Sequence, residues 1–287
     1  MGSLHQCCCG IIGTRRRQPE ARHRLRKNPL KIATWNVNSL NVRLPRLLQW
    51  LPEARPDILC LQETKLPDER FPRQEIADAG YAVHFCGQRT YNGVALLVRD
   101  GIGAATDLVN ALPGFEDEQK RVIAATVAGI RIIGLYVPNG QSVDSDKYRY
   151  KLAWCEAATR FIAEERERHG AIAVAGDFNI APEDRDVHDP LAWQGQVLCS
   201  EPERAVFRSW VALGLADSFR LFEQPERTYS WWDYRQLAFP KNQGLRIDHI
   251  LLSTPLAAKC TSCRIDRNAR KGDKPSDHAP VIAELSD

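Results

Sequence analysis

The sequence lacks any apolar run long enough to cross a lipid bilayer. A membrane-spanning helix needs about 20 consecutive apolar residues, and no segment of the 287 residues approaches that length. The apolar run at residues 7–13 is too short for a signal peptide, and its basic cluster follows it instead of preceding it. These absences argue against a membrane protein and a secreted protein, so we expect a cytoplasmic protein with no membrane partner.

A second metal-binding cysteine pair is also missing. Cys260 and Cys263 form one CxxC, but a structural zinc ion takes four ligands, and no second pair lies at a suitable spacing. Three of the nine cysteines are the run Cys7–Cys9, while Cys60 and Cys155 lie in apolar patterns typical of buried thiols. We therefore interpret the CxxC as structural and predict no zinc site.

The chain contains no P-loop, no GxGxxG and no motif built around a nucleophilic Ser or Cys. It also has no Pro/Ser/Gly-rich linker, and apolar segments run evenly from Ile32 to Leu285. With 44% hydrophobic residues the chain can bury one large core. We expect residues 30–287 to form a single domain.

The net charge of +3 hides an asymmetry. Residues 1–29 hold seven Lys or Arg and one Glu, so the rest of the chain carries −3. The main part of the protein is therefore no globally basic nucleic-acid binder. Affinity for DNA would have to come from a local basic face around an acidic site.

Apolar periodicity predicts helices interleaved with many short strands, an α/β protein. Two mixed sheets packed face to face, with helices outside each, would accommodate this pattern. The predicted strands are residues 31–38, 57–62, 81–86, 94–98, 122–127, 130–137, 171–175, 228–232, 245–252, 260–265 and 278–285. The predicted helices are residues 42–50 and 146–169, and residues 190–222 are expected to be mostly helical.

Asp177 and Asn179 follow an apolar strand, and Gly176 would let the chain turn at the strand's end. Two residues apart in extended backbone, their side chains face the same way. A carboxylate beside an amide can take a proton from water and hold a phosphate oxygen. An Asx-turn that caps the strand is the alternative.

Glu63 also follows an apolar strand, where a buried carboxylate would be costly without a cation. Oxygen ligands of this kind suit Mg²⁺ or Mn²⁺, although a solvated residue just past a strand is the other interpretation. Asn36 and Asn38 place two amides at the end of the first strand, where they would support a metal site or form a turn.

Asp248 lies in an apolar strand, and Asp277-His278 opens the last one. An Asp and a His from different strands can form the pair in which a carboxylate orients an imidazole. From the residues alone, His249 competes with His278 for that pairing.

Eight short segments follow one another from about residue 30 to the C-terminus: WNVNSL, LQETK, YNGVALL, YVPNG, GDFNIAP, WWDYR, GLRIDHILLS and PSDHAPV. In order and context they resemble the exonuclease III family, within the endonuclease/exonuclease/phosphatase superfamily. The resemblance implies a four-layer α/β/β/α sandwich. It implies removal of nucleotides from 3′ ends of duplex DNA, clearing of 3′ blocking groups and, in many members, incision beside abasic sites. We expect a monomer that acts on double-stranded DNA with 3′ ends, nicks or abasic sites.

The resemblance also implies roles for the matching residues. Glu63 would be the principal metal ligand, with Asn36 and Asp277 close to the metal, for which Mg²⁺ is expected and Mn²⁺ can substitute. Asp177 would be the base that activates water in an in-line attack.

In the same resemblance, Asn179 and Tyr136 would hold the scissile phosphate. His278, not His249, would contact a non-bridging phosphate oxygen, and Asp248 would orient it. The pocket for the extrahelical sugar would be lined by Trp231, Leu245 and Ile247.

The chain departs from the family pattern at a few positions. Some members carry Trp in place of Leu245 and Asp in place of Asn38. Residues 182–200, just past Asp177, do not match the abasic-endonuclease branch. We therefore expect exonuclease activity to dominate over abasic incision.

Two other functions would use some of the same motifs. A phosphatase or sphingomyelinase of the same superfamily would share the Asn, Glu, Asp-x-Asn and Asp-His motifs, but would not be expected to keep WWDYR and GLRIDHILLS. An inactive DNA-binding relative would be expected to have lost catalytic positions, and every inferred position is intact.

Residues 1–29 show no apolar periodicity and are predicted to be a disordered basic extension. Met1 is the only methionine, and the family resemblance begins abruptly at Leu30. We hypothesise that translation starts at Leu30, from a TTG or CTG codon, and that the extension is no part of the native protein. A basic arm that contacts DNA phosphates is the rival. An intact mass, measured on protein from its own locus, that includes residues 1–29 would refute the hypothesis.

Overall fold

The structure, a computed structural model, describes residues 29–287. The extension predicted at residues 1–29 therefore lies, apart from Pro29, outside the described residues. No helix in the described range has the length and apolar character that a membrane crossing requires.

The described part of the chain contains fourteen strands and six α-helices, joined by loops and four short 3-10 helices. The strands are β1 (Leu30–Asn36), β2 (Ile58–Gln62), β3 (Tyr81–Cys86), β4 (Val94–Arg99), β5 (Thr106–Val109), β6 (Val122–Val127), β7 (Ile130–Tyr136), β8 (Ile172–Asp177), β9 (Leu215–Asp217), β10 (Trp231–Trp232), β11 (Gly244–Leu245), β12 (Asp248–Ser253), β13 (Cys260–Ile265) and β14 (Val281–Leu285). The α-helices are α1 (Leu40–Ala54), α2 (Arg73–Asp78), α3 (Asp146–Arg168), α4 (Pro190–Trp193), α5 (Glu201–Ala212) and α6 (Thr254–Ala257).

The strands form two six-stranded sheets and a small ribbon. The first sheet has the order β13-β14-β1-β2-β4-β3, and the second has the order β5-β6-β7-β8-β12-β9. Both are mixed, because β1 and β2 run parallel in the first sheet and β7 and β8 run parallel in the second. Strands β10 and β11 pair with each other as the ribbon.

The two sheets pack face to face over a shared core. Ile58 and Cys60 of β2 belong to the same buried cluster as Ala173 and Ala175 of β8. Side chains of a strand alternate between its two faces, so the intervening residues must face outward from this core. The prediction of two mixed sheets packed against each other is confirmed.

Helices cover the outer face of each sheet. Leu59 of β2 shares a buried cluster with Leu47 of α1. On the other side, Val174 of β8 shares a cluster with Trp154 of α3 and Phe207 of α5. The layer order is therefore helix, sheet, sheet, helix, which confirms the predicted four-layer α/β/β/α sandwich.

The strand predicted at residues 245–252 is wrong in extent, because two strands separated by Arg246 and Ile247 occupy it. The Arg246 N–H donates to the Asp186 carbonyl, and the Ile247 N–H donates to Ser230 Oγ. Both donors therefore leave the sheet ladder. The buried Arg246 side chain also donates to the Asp186 carboxylate. The break between the two strands therefore places the buried guanidinium beside the carboxylate that pairs with it.

Other strands also differ from the prediction. Only Trp231–Trp232 of the strand expected at residues 228–232 forms a strand, and the last strand begins at Val281. Strand β5 was not predicted, because its four residues are largely exposed and show no apolar alternation.

Gly176 does not end its strand, since β8 continues through it to Asp177. A Cβ at this position would lie 1.9 Å from the Leu135 carbonyl oxygen of β7. The glycine is therefore required by the close approach of two parallel strands, not by a turn.

We expect Gly176→Ala to destabilise the fold by about 3 kcal/mol, because the added methyl group must push β7 and β8 apart. Gly170→Ala is the matched control, since no atom lies within 4 Å of the place that its methyl group would take. That variant should change the free energy of unfolding by less than about 0.5 kcal/mol. Urea denaturation measures both, and equal stabilities would contradict the steric account.

Candidate active site

Polar side chains from both sheets meet where two pairs of parallel strands end. Strands β1 and β2 end at Asn36 and Gln62, which pair in register. Strands β7 and β8 end at Tyr136 and Asp177, also in register. The carboxyl ends of parallel strands lie at the same edge of a sheet. Glu63, directly after β2, therefore comes to lie next to Asp177 across the two sheets.

Asn36 connects the two carboxylates. Its Nδ2 donates to Glu63 Oε1 at 2.9 Å and to Asp177 Oδ2 at 2.8 Å. Its Oδ1 accepts the Asn38 N–H at 2.9 Å, which forms a turn. The sequence left two alternatives for these amides, a supporting role in an acidic site and a turn after the strand. Both are present, because Asn36 donates to the two carboxylates and also accepts from the Asn38 N–H.

Glu63 is held by three donors. Besides Asn36, the Tyr136 hydroxyl donates to Oε1 at 2.9 Å, and Lys65 Nζ lies 2.7 Å from Oε2. Burial raises the pKa of Glu63, but the Lys65 ammonium and the Asn36 amide more than offset this, so the net shift is downward. Glu63 is therefore an ionised carboxylate in a largely desolvated place, unlike a solvated residue past a strand.

Asp177 is almost completely buried. Its Oδ1 accepts the Asn179 N–H at 2.9 Å, so the Asx-turn considered from the sequence is formed. Burial raises the pKa of Asp177 to about 7, although the nearby His278 charge opposes the shift. A carboxyl group that titrates near neutral pH is suited to accept and release a proton.

His278 and Asp248 form the carboxylate–imidazole pair. His278 Nδ1 lies 2.9 Å from Asp248 Oδ2, and its Nε2 lies 3.8 Å from Asp177 Oδ2. Asp248 pairs in register with Asp177 across β12 and β8, which places the pair beside the buried acid. Burial lowers the pKa of His278, but the two carboxylates outweigh it and raise the pKa to about 10.

The competing histidine lies elsewhere. His249 Nε2 is 2.9 Å from the Ile180 carbonyl oxygen, and its Nδ1 faces Arg246. Burial and the Arg246 charge lower the pKa of His249 to about 4, so it is neutral. Asp248 therefore pairs with His278 and not with His249.

Four residues around the site have left-handed backbone without being glycine. The φ angles of Asn38, Glu63, Lys65 and Asn179 are 43°, 53°, 53° and 49°. This conformation is uncommon for such residues and is often found where function requires it. The surrounding hydrogen bonds hold these side chains in the site although the backbone is strained there.

The donor set fits a hard divalent cation. Ligand atoms of Glu63, Asp177 and His278 lie within 4.8 Å of one another. Because His278 is held protonated by Asp248 and the pKa of Asp177 is raised, the ionised Glu63 carboxylate is the group of the three best suited to hold such an ion, and carboxylate oxygens are what Mg²⁺ and Mn²⁺ prefer. Asp277 lies outside this group of three, with Asn38 Nδ2 at 2.9 Å from its Oδ1.

The three residues predicted to line a sugar pocket lie together. Trp231 pairs with Leu245 in the ribbon and forms a bridge with His278. Leu245 and Ile247 are buried in one apolar cluster against which Trp231 packs. Trp231 alone of the three retains exposed surface, directly beside His278.

Sequence reasoning missed Lys151, a fully buried lysine on α3. Its Nζ donates to the carbonyl oxygens of Asn179 and Asn139, at 2.7 and 3.1 Å, and pairs with the buried Glu203 carboxylate. It thus fixes the loop that follows Asp177. The signal was available, because Lys151 lies four residues before Cys155, on the buried face of the helix.

Comparison with known proteins agrees with this geometry. The model of the Endonuclease/Exonuclease/phosphatase family matches residues 33–278. Exodeoxyribonuclease III of Haemophilus influenzae is 35% identical over 273 residues, covering 89% of this chain and 100% of that protein. A solved 3′ phosphatase, NExo from Neisseria, bound to a product DNA hairpin, is 46% identical with a TM-score of 0.87, covering 90% of this chain and 99% of that one. An AP endonuclease from Archaeoglobus fulgidus is 38% identical with a TM-score of 0.84, covering 89% and 99%.

The raised pKa of His278 predicts how stability depends on pH. The folded protein keeps a proton that the unfolded chain releases above its ordinary pKa of 6.5. The free energy of unfolding should therefore fall as the pH rises from 6.5 toward 10, by up to about 1.4 kcal/mol per pH unit for one proton. Asp248→Asn removes the partner that raises this pKa most, so we expect a shallower fall in urea denaturation of the metal-free protein.

Asp100→Asn provides the control, since it removes an exposed carboxylate just after β4 and should leave the slope unchanged. An Asp248→Asn slope equal to that of the unaltered protein would show that Asp248 does not hold the proton on His278.

Proposed function

The chain belongs to the endonuclease/exonuclease/phosphatase family, as a relative of exodeoxyribonuclease III, and on that premise we propose that its site hydrolyses phosphodiester bonds at 3′ ends of DNA during repair. The observation that carries the proposal is the meeting of Glu63, Asp177 and His278 within 4.8 Å at the edge of both sheets. The same chemistry would serve 3′-to-5′ resection, removal of a 3′ phosphate and incision at abasic sites.

Asp177 is the proposed general base. Its pKa, raised to about 7 by burial, lets it take a proton from an attacking water near neutral pH. The Asn36 amide and the Asn179 N–H keep its two oxygens oriented.

His278 is the proposed cationic contact of the scissile phosphate. Asp248 fixes the ring through Nδ1, so Nε2 is left to donate to a non-bridging oxygen. Asn179 Nδ2 and the Tyr136 hydroxyl would complete the phosphate contacts, the hydroxyl by turning its one hydrogen from Glu63 to the phosphate. Burial and the Glu63 charge raise the pKa of Tyr136 well above its ordinary value, so the hydroxyl keeps its proton as a donor.

The proposed cofactor is Mg²⁺, and Mn²⁺ can substitute for it. Glu63 would be its principal ligand, because it is ionised and partly exposed, and Asn36 donates to it. Asp277 is proposed to lie near the ion as well. When bound, the ion would offset the negative charge that develops on the phosphoryl group.

The proposed substrate is double-stranded DNA with a 3′ end, a nick or an abasic site. Because residues 30–287 carry a negative net charge, DNA binding would need a local basic face beside the site. A cavity of about 750 Å³ borders Glu63 and Tyr136 and is lined by Lys65, Arg121 and Lys147. These cations can contact backbone phosphates next to the cut.

A terminal or extruded sugar would lie against Trp231, above the buried Leu245 and Ile247. All residues named for the site lie on one chain, so we propose a monomer. Since cellular DNA is the proposed substrate, the proposed compartment is the cytoplasm.

We predict that Asp177→Asn lowers the hydrolysis rate by about 10²–10⁴-fold without unfolding the protein, because it removes the general base. Glu63→Ala should abolish hydrolysis and also weaken Mg²⁺ binding. Asp189→Asn, at an exposed position in the loop before α4, is the control and should keep full activity. Mg²⁺-dependent degradation of a 3′-recessed duplex measures all three. Near-normal turnover by folded Asp177→Asn would remove Asp177 from the mechanism.

We also predict that 3′-to-5′ resection of duplex DNA is faster than incision at an internal abasic site. Trp231 and the half-exposed Tyr234 offer aromatic surface to a terminal nucleotide, which costs less to unstack than an internal one. The two rates are compared on a 3′-recessed duplex and on a duplex with one abasic analogue. Faster abasic incision would reverse the ranking and leave the nuclease assignment intact, whereas no cleavage of either duplex would favour a phosphatase of another substrate class.

A further inference from the structure

The carboxylate of Asp277 lies between two neutral donors. Asn38 Nδ2 donates to Oδ1 at 2.9 Å, and the indole N–H of Trp231 donates to Oδ2 at 3.0 Å. Neither donor neutralises the charge, and each carboxylate oxygen retains a further lone pair. The two donors therefore fix the direction of the carboxylate and leave either oxygen able to bind a cation, directly or through a water.

The Trp231 indole is held in place by its backbone. The segment carrying it runs beside Asp277, with the Trp232 N–H donating to the Asp277 carbonyl oxygen at 3.1 Å. The Ala279 N–H donates back to the Ser230 carbonyl oxygen at 2.7 Å. Because both flanking residues are tied to residues 277–279, the N–H of Trp231 is directed at the carboxylate by the fold itself.

On its other side, Asp277 is connected to the proposed metal ligand. Asn38 Oδ1 accepts from Lys65 Nζ at 2.6 Å, and Lys65 Nζ lies 2.7 Å from Glu63 Oε2. A continuous chain of polar contacts thus runs from the indole through Asp277, Asn38 and Lys65 to Glu63. Partners of this kind orient the groups that bind a metal, and they affect its affinity without touching it.

We propose that Trp231 is a positioning residue for the metal site: its ring lines the sugar pocket, while its N–H orients Asp277 toward the cation. The ring packs on the Leu245 and Ile247 cluster, and the N–H points away to the carboxylate. The inference rests on the proposed metal site and adds to it a residue that binds no metal.

Trp231→Phe separates the two roles, because it keeps an aromatic ring in the pocket and removes the N–H. We expect the variant to bind Mn²⁺ about tenfold more weakly in the absence of DNA, at the lower end of the roughly 10–100-fold loss typical of such partners. Titration calorimetry, or electron paramagnetic resonance of free Mn²⁺, measures the affinity of the full chain without any turnover.

Trp232→Phe is the matched control, since the Trp232 indole donates to Asn242 and not to Asp277. It should bind Mn²⁺ as the unaltered protein does. Asp277→Asn should weaken binding on its own, and adding Trp231→Phe to it should cause no further loss. That result would show that the indole acts through Asp277.

The inference is overturned if Trp231→Phe binds Mn²⁺ with unchanged affinity. It is also overturned if Trp231→Phe lowers the Mn²⁺ affinity of Asp277→Asn by as much as it lowers that of the unaltered protein. Failure of the unaltered protein to bind Mn²⁺ would instead remove the metal site itself. Nuclease activity of the unaltered protein is measured separately, so the two failures are distinguishable.

Discussion

Two carboxylates from opposite sheets are held close together in a largely desolvated place, and the rest of the site depends on that constraint. Glu63 and Asp177 would repel each other there unless donors and cations offset their charges. Asn36 donates to both, while Lys65 faces one carboxylate and His278 the other. The outcome is asymmetric, because the pKa of Glu63 is lowered and that of Asp177 is raised to about 7. One acid therefore stays ionised, and the other titrates near neutral pH.

The fold supplies this arrangement from the ends of its strands. Parallel pairing within each sheet places Asn36 with Gln62 and Tyr136 with Asp177, and packing of the sheets brings the two ends together. The Ser276 hydroxyl donates to the Asn36 carbonyl oxygen at 2.6 Å, which holds the segment before β14 next to the end of β1. Precision at the site therefore comes from rigid elements, and strained backbone is confined to the residues that follow them.

Much of this was predictable, because acids and amides at the ends of apolar strands are a sequence pattern. The placement of Glu63 and Asp177 at strand ends followed from it, while the two packed sheets followed from apolar periodicity and the four layers from the family resemblance. The sequence could not choose between His249 and His278 without the family resemblance, because the pairing depends on register between distant strands. The turn predicted at Gly176 is wrong, since the close approach of β7 is invisible in one strand's sequence. Lys151 was missed although it lies on the buried face of α3, because its partners, two loop carbonyls and the Glu203 carboxylate, come together only in the fold.

The central claim is that Glu63 binds a divalent cation used in DNA hydrolysis. Crystals of the protein grown with Mn²⁺ and a 3′-recessed duplex, measured at the manganese absorption edge, test it directly. The account predicts an anomalous peak about 2.0–2.2 Å from a Glu63 carboxylate oxygen, with the 3′-terminal phosphate between it and His278. No peak at Glu63, or a peak that persists unchanged in Glu63→Ala crystals, would contradict it.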